Sequence, residues 1–349
     1  MPSLISLLAL GSISGTSAWA DFSYGVSVLP SLEEYKFRDW LKEYGRKGLT
    51  KSEYKFRFEA FKKNLKRIEE QNEKNESLKM TINRWADYVD TDIPIMPPPI
   101  DPIQEEGFLN KLQPYPEHLL TETADLPKSI NWVDKGFITP VKTSDKDCFL
   151  SSYAFAAADI VEFLYKKEGN NLTTLSTRQL MDCGGDYSMN DCFSGTLQDA
   201  LNYLKSGKKL ESEESYPYIN EQKDCAYDPN KAIAGIGDYY QYLDVDPTKV
   251  KNALQNGPVG TIINWDEAVI NYGTGIISDD DIPKCSYENA YSYVLIVGYD
   301  VDDDGKEYFL IKHNQGKDFG GYDGYIRVTT SVAKAKNGVC GILTPGNLF

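Results

Sequence analysis

Six cysteines, at positions 148, 183, 192, 225, 285 and 340, and two histidines, at 118 and 313, are the side chains of this 349-residue chain best suited to nucleophilic, redox or metal chemistry. A zinc site would call for close Cys-x-x-Cys pairs or added histidines. The nearest cysteines, Cys183 and Cys192, have eight residues between them, so no metal is expected. An even number of cysteines behind a secretory leader instead suggests a disulfide framework in an oxidising compartment, with the pairing left open. The run Asp300-Val301-Asp302-Asp303-Asp304-Gly305 opens like a calcium loop, but its twelfth position is Ile311 where a bidentate Glu is required. It reads better as an acidic hairpin turn. Asn75-Glu76-Ser77 and Asn171-Leu172-Thr173 are N-glycosylation sequons. Nothing in the pattern calls for a cofactor.

The elements that must position these residues follow from patterning. A formal net charge of −15 and a pI near 4.7 would repel a phosphate backbone, which excludes nucleic-acid binding. The 41% hydrophobic content is enough for a sizeable core. Residues Met1 to Ala20 form a Leu-rich stretch ending in Ala18-Trp19-Ala20, expected to be a signal peptide cut after Ala20. No later stretch has the roughly 18 to 20 consecutive apolar residues of a membrane span. A soluble monomer is expected. From Ser31 to Asn75 apolar residues recur at helical spacing, as in Phe56, Ala60, Phe61, Leu65 and Ile68. The stretch Pro94 to Pro102 has five prolines in nine residues and must be an extended linker. Ala154 to Leu164 predicts a buried central helix; Val294 to Tyr299 and Tyr308 to Ile311 predict buried strands.

Beyond periodicity, Glu53, Arg57, Phe61, Asn64, Ile68 and Asn72 fill the Glu-x3-Arg-x3-Phe-x2-Asn-x3-Ile-x3-Asn pattern of cathepsin L-like propeptides. Asn83, Trp85 and Asp87 resemble that propeptide's second motif, with Thr81 in its glycine place and Trp85 in place of Phe. Leu126 to Lys142, including Trp132 and Thr139-Pro140-Val141-Lys142, is similar to the mature N-terminus of papain-family cysteine peptidases. Asp147 to Asp159 resembles their active-site helix. Leu180-Met181-Asp182-Cys183, Tyr216-Pro217-Tyr218, Gly257-Pro258-Val259, Val297-Gly298-Tyr299 and Gly324-Tyr325-Ile326 carry the resemblance onward. It implies an α+β, papain-like two-lobed fold: a helical left lobe and a β-barrel-like right lobe behind an α-helical inhibitory propeptide. The expected divisions are 1–20 signal peptide, 21–124 propeptide with linker, and 125–349 mature domain. The implied disulfides are Cys148–Cys192, Cys183–Cys225 and Cys285–Cys340.

A thiol peptidase needs a cysteine at a helix N-terminus, a histidine to share its proton and an orienting group behind that histidine. Carried over residue by residue, the resemblance puts Ser152 at the nucleophile, Ser292 at the histidine and His313 at the orienting Asn. It also puts Ser144 at the oxyanion donor, Tyr153 and Gln315 at two family tryptophans, and Ser194-Gly195 at the peptide-binding loop. Two extra residues between Val141-Lys142 and Ala154-Phe155 imply a remodelled loop around Cys148 to Ser151. A hydroxyl is no base near neutral pH, so these replacements imply an inactive homologue. Its partner would be a peptide or protein in the cleft, a cystatin-like inhibitor or its own propeptide, and it would be secreted or held in the lumen of a lysosome-like vesicle. Two other functions remain open: a weak serine hydrolase using Ser152 and His313, although the family layout interposes an imidazole between those positions, and a released propeptide that inhibits active relatives. His313 is otherwise expected to be a satisfied, non-catalytic histidine, and His118 a solvated one.

Overall fold

In a computed structural model, the described residues are 30–45, 48–89, 92, 114, 116, 126–144, 146–280 and 291–349. The expected signal peptide, the Pro-rich linker, His118 and Cys285 lie outside them. The chain divides into two units, Met1–Arg46 and Lys47–Phe349. The first carries helix α1, Leu32–Glu43, which starts where the Ser31 side chain accepts from the Glu34 N–H at 3.2 Å and places Phe37 and Trp40 in a stacked pair.

The single helical stretch expected from Ser31 to Asn75 is therefore two helices. Gly45 and Gly48 take φ of +74° and +75°, a left-handed backbone that ends α1. In the second unit α2, Lys51–Lys74, restarts from a capping box in which Thr50 and Glu53 satisfy each other's backbone N–H groups. Its buried face is Ala60, Phe61, Asn64, Leu65 and Ile68. Asn64 donates to the carbonyls of Ala86 and Tyr88, and Arg57 pairs with Asp92, so α2 clamps the turn at 83–89.

The helical lobe is α3 Ser152–Lys167, α4 Thr177–Cys183 and α5 Leu197–Lys205. The strand lobe is one antiparallel sheet of β2 Ile130–Asn131, β3 Val259–Asn264, β5 Tyr291–Val301, β6 Glu307–Lys312 and β7 Tyr325–Thr329. Strand β5 is its spine, pairing with β3 through residues 291–296, with β2 at 298–299 and with β6. The strand expected over Val294 to Tyr299 starts three residues earlier, at Tyr291, and residues 291–299 are all buried, as a run without alternation implies. Two short helices, α6 Pro247–Ala253 and α7 Glu267–Ile270, flank β3. A separate two-stranded sheet pairs β1, Leu78–Met80, with β4, Tyr272–Gly275.

Helix α3 packs against β5, α4 and α5, which makes it the joint between the lobes. A buried ionic cluster reinforces that joint. Lys142 Nζ donates to Asp159 Oδ1 at 3.0 Å and Glu162 Oε1 at 2.6 Å, while Lys312 Nζ lies 2.9 Å from Asp159 Oδ2 and donates to Thr139 Oγ1 at 3.0 Å. Burial opposes the charge on Asp159, but Lys142 and Lys312 outweigh it and hold its carboxyl below the usual range. Disulfides Cys148–Cys192 and Cys183–Cys225 staple the helical lobe. Cys340 is also disulfide-bonded. The acidic run expected to be a turn gives Asp300 and Val301 to the end of β5, and Asp302 to Lys306 makes the hairpin turn to β6, closed by the Asp302 carboxylate accepting from the Asp304 and Lys306 N–H groups.

Candidate functional site

Helix α3 begins at Ser152, behind a 3₁₀ turn over Lys146–Ser151. The turn is held by the Cys148–Cys192 bond and by the Ser151 hydroxyl donating to the Cys148 carbonyl at 2.6 Å. This places Ser152 Oγ, 1% exposed, against β5, where it accepts the Tyr293 backbone N–H at 3.0 Å. Ser152 and the neighbourhood of Ser292 are thus brought together. Ser292 is also buried, and its Oγ has no hydrogen-bond partner among the described residues.

His313 follows β6 and lies in an aromatic slot, its ring 4.9 Å from Trp265 and 5.4 Å from Phe319. Its Nδ1 accepts the Asn314 N–H at 2.9 Å, which consumes the ring's lone pair and places the proton of the neutral imidazole on Nε2. Nε2 meets no partner among the described residues, so the expectation of a fully satisfied histidine is corrected: only one nitrogen is satisfied. Burial pushes the ring's pKa from 6.5 down to about 3, outweighing the Asn314 side chain, which opposes it. The imidazole is neutral across the physiological range.

The position expected to supply an oxyanion donor is already committed. Ser144 gives both its N–H, at 2.9 Å, and its hydroxyl, at 3.1 Å, to the Asn314 carbonyl. Gln315 Nε2 donates to Ser144 Oγ at 3.3 Å, and Gln315 Oε1 accepts the Trp85 indole N–H at 3.0 Å. Arg84 donates to the Ser144 carbonyl at 2.9 Å. The N-terminal segment therefore meets this edge of the site directly.

On the helical lobe, Tyr153 is fully buried and its hydroxyl donates to the Asp191 carbonyl at 3.2 Å. Burial raises its phenol well above the ordinary value. Its ring lies under Gly195, where φ is +149° and an added Cβ would come within 2.5 Å of Tyr153 Cε1. Only glycine fits. Phe193, 66% exposed, and the exposed Ser194 form the rim beside it. Among the sequons, Asn171 is exposed, whereas Asn75 is half-buried with Oδ1 accepting from the Ser77 and Leu78 N–H groups at 3.0 Å each.

Sequence reasoning did not find Trp265 and Phe319, the walls of the His313 slot, because they belong to no local motif. Nor did it pair Lys142 with Asp159 and Glu162, although i, i+3 carboxylates on an apolar helix are a signal for a buried cation.

A helical lobe joined through one central helix to an antiparallel sheet, with a serine at the helix start facing the sheet, defines a papain-like protein carrying a helical N-terminal segment. Residues 126–345 match the papain family cysteine protease domain and residues 37–93 the cathepsin propeptide inhibitor domain (I29). The chain belongs to the papain family of cysteine proteases. It is 29% identical to Testin-2 of Mus musculus over 91% of this chain and 93% of that protein. It is 33% identical to procathepsin L of Felis catus over 62% and 64% of the two. The solved digestive procathepsin L2 proteinase from Tenebrio molitor larval midgut superposes with a TM-score of 0.75 at 26% identity, covering 90% of this chain and 98% of that one.

Proposed function

We propose that this chain is a catalytically inactive cathepsin L-like homologue that works by binding a peptide, a cystatin-like inhibitor or a protein partner rather than by cleaving it. The observation that carries the proposal is the state of His313. A Ser–His dyad needs an unprotonated ring nitrogen to take the serine proton, and the one lone pair His313 has is held by the Asn314 N–H. Ser292 offers a hydroxyl at the position where the family places its base, and Ser144 has spent its donors on Asn314. Loss of one oxyanion donor alone costs about 10² to 10³ in turnover.

Binding is supported by the rim beside Gly195, where Phe193 and Ser194 are exposed. In this proposal residues 1–20 direct secretion or delivery to a lysosome-like lumen, 21–124 form the propeptide and its linker, and 125–349 the mature domain closed by a third disulfide, Cys285–Cys340. The test is turnover of a fluorogenic peptide library at pH 5 and pH 7 after the propeptide is removed in trans, with Ser152→Ala as control. Equal signals from the two proteins are expected. A Ser152-dependent signal would mean a working serine hydrolase and would overturn the proposal.

A further inference from the structure

One departure of the propeptide motif from its family, Trp85, meets one departure of the mature site, Gln315. Family members carry Phe and Trp there by resemblance; here an indole N–H faces an amide oxygen at 3.0 Å, with both residues buried. The Trp85 ring also stands edge-on to Trp265 at 5.7 Å. Each departure alone would leave a buried polar group unpaired, and together they satisfy each other.

A second observation comes from the mature side. An added Cβ on Gly273 would lie 2.7 Å from the Lys79 carbonyl oxygen, and its nearest neighbours are all backbone atoms of Lys79 and Met80. Gly273 is not in the left-handed region, so its own backbone does not ask for glycine. What asks for it is the propeptide strand: β1 pairs with β4 through Leu78↔Gly275, Lys79↔Thr274 and Met80↔Tyr272. The dock continues through the Thr81 N–H to the Asn271 carbonyl at 2.8 Å and Asn83 Nδ2 to the Ile270 carbonyl at 2.7 Å.

We infer that the propeptide globule is a permanent non-covalent lobe of this protein, retained after the linker is cut and at acid pH, with Trp85–Gln315 and the β1–β4 pairing as its anchors. The inference goes beyond the binding role and holds whether or not the cleft cleaves peptides. The ionisable groups at the dock are Arg67, Lys79 and Arg84 on the propeptide side and Asp266 and Glu267 on α7. Arg67 pairs with Glu267 at 2.6 Å and also reaches Asn271 Oδ1 at 2.6 Å. Lys79 bonds the Asn72 and Asn75 carbonyls of its own segment, Arg84 bonds the Ser144 carbonyl, and Asp266 caps α7. The Arg67–Glu267 pair is half-exposed on the Glu267 side, and its loss would shift an equilibrium by less than about fivefold. The neutral hydrogen bonds and the strand pairing stay. Within the propeptide, Arg57 is held by Asp92 and lies near Asp87, carboxylates that belong to the globule itself.

The test uses the full chain with a site-specific protease sequence inserted between residues 103 and 113. Every cysteine lies at or beyond Cys148, so the released N-terminal fragment cannot be held by a disulfide. After cutting, size-exclusion chromatography with mass detection at pH 7 and pH 4.5 is expected to show the fragment co-eluting with the remainder at both. Trp85→Phe keeps the ring on Trp265 but strands the buried Gln315 oxygen, and Gly273→Ala drives a methyl into the Lys79 carbonyl. Each should speed fragment dissociation by about tenfold or more. Release of the parent fragment at either pH would overturn the inference, as would parental dissociation rates in both variants.

Discussion

Lowering the pH from 7 to 5 should destabilise this protein by about 2 kcal/mol through His313 alone. In the unfolded chain the imidazole takes up a proton through its ordinary 6.5; in the native slot between Trp265 and Phe319 it does so only near 3. The native state therefore favours the neutral ring. Stability from this group is complete above pH 6.5, falls as pH drops through 6.5, and stops falling below about 3. At pH 5 the unfolded state is favoured by 1.5 pH units of protonation, or about 2 kcal/mol at 1.36 kcal/mol per unit. For a chain of 349 residues that corresponds to a fall of roughly 3 °C in Tm. Urea denaturation of the parent and of His313→Asn at pH 7, 6 and 5 isolates the term, because any contribution of His118 is common to both. The parent should lose stability faster by about 2 kcal/mol over that range, and the His313 ring resonances should not titrate between pH 7 and 5. Parallel stability curves would refute the reasoning. They would mean that His313 binds a proton natively near neutrality and is free to move one, which would also remove the main argument for inactivity.

Two stability predictions test the scaffold that holds the site. Lys312→Met withdraws a cation that is 1% exposed from Asp159 and Thr139; Asp159 keeps Lys142, so a loss of about 3 kcal/mol is expected by urea denaturation, largely recovered in Lys312→Met/Asp159→Leu. A single variant as stable as the parent would show that the cluster does not join the lobes. Gly195→Ala sets a methyl against the Tyr153 ring on a left-handed backbone and should cost about 1 to 3 kcal/mol, relieved in part by Tyr153→Leu. An undiminished Tm would mean that the loop shifts freely and does not hold the rim.

The sequence alone determined the main helix and strand segments, because apolar-rich stretches such as 154–164 and 294–299 cannot be left in water. Residue identity also determined what chemistry positions 152 and 292 can offer, since a hydroxyl remains a poor base wherever it is placed. The break at Gly45 and Gly48 was written there too, in glycines that the helical periodicity masked. What only the tertiary structure decided is the protonation state and the commitments of the site. His313 is neutral because Trp265 and Phe319, from distant parts of the chain, exclude water from it. Ser144 is spent because the Asn314 carbonyl lies opposite it. Trp85 and Gln315, 230 residues apart, looked like two unrelated departures until the fold put an indole N–H against an amide oxygen. Desolvation and hydrogen-bond pairing depend on what surrounds an atom in space, and no local spacing along the chain encodes that.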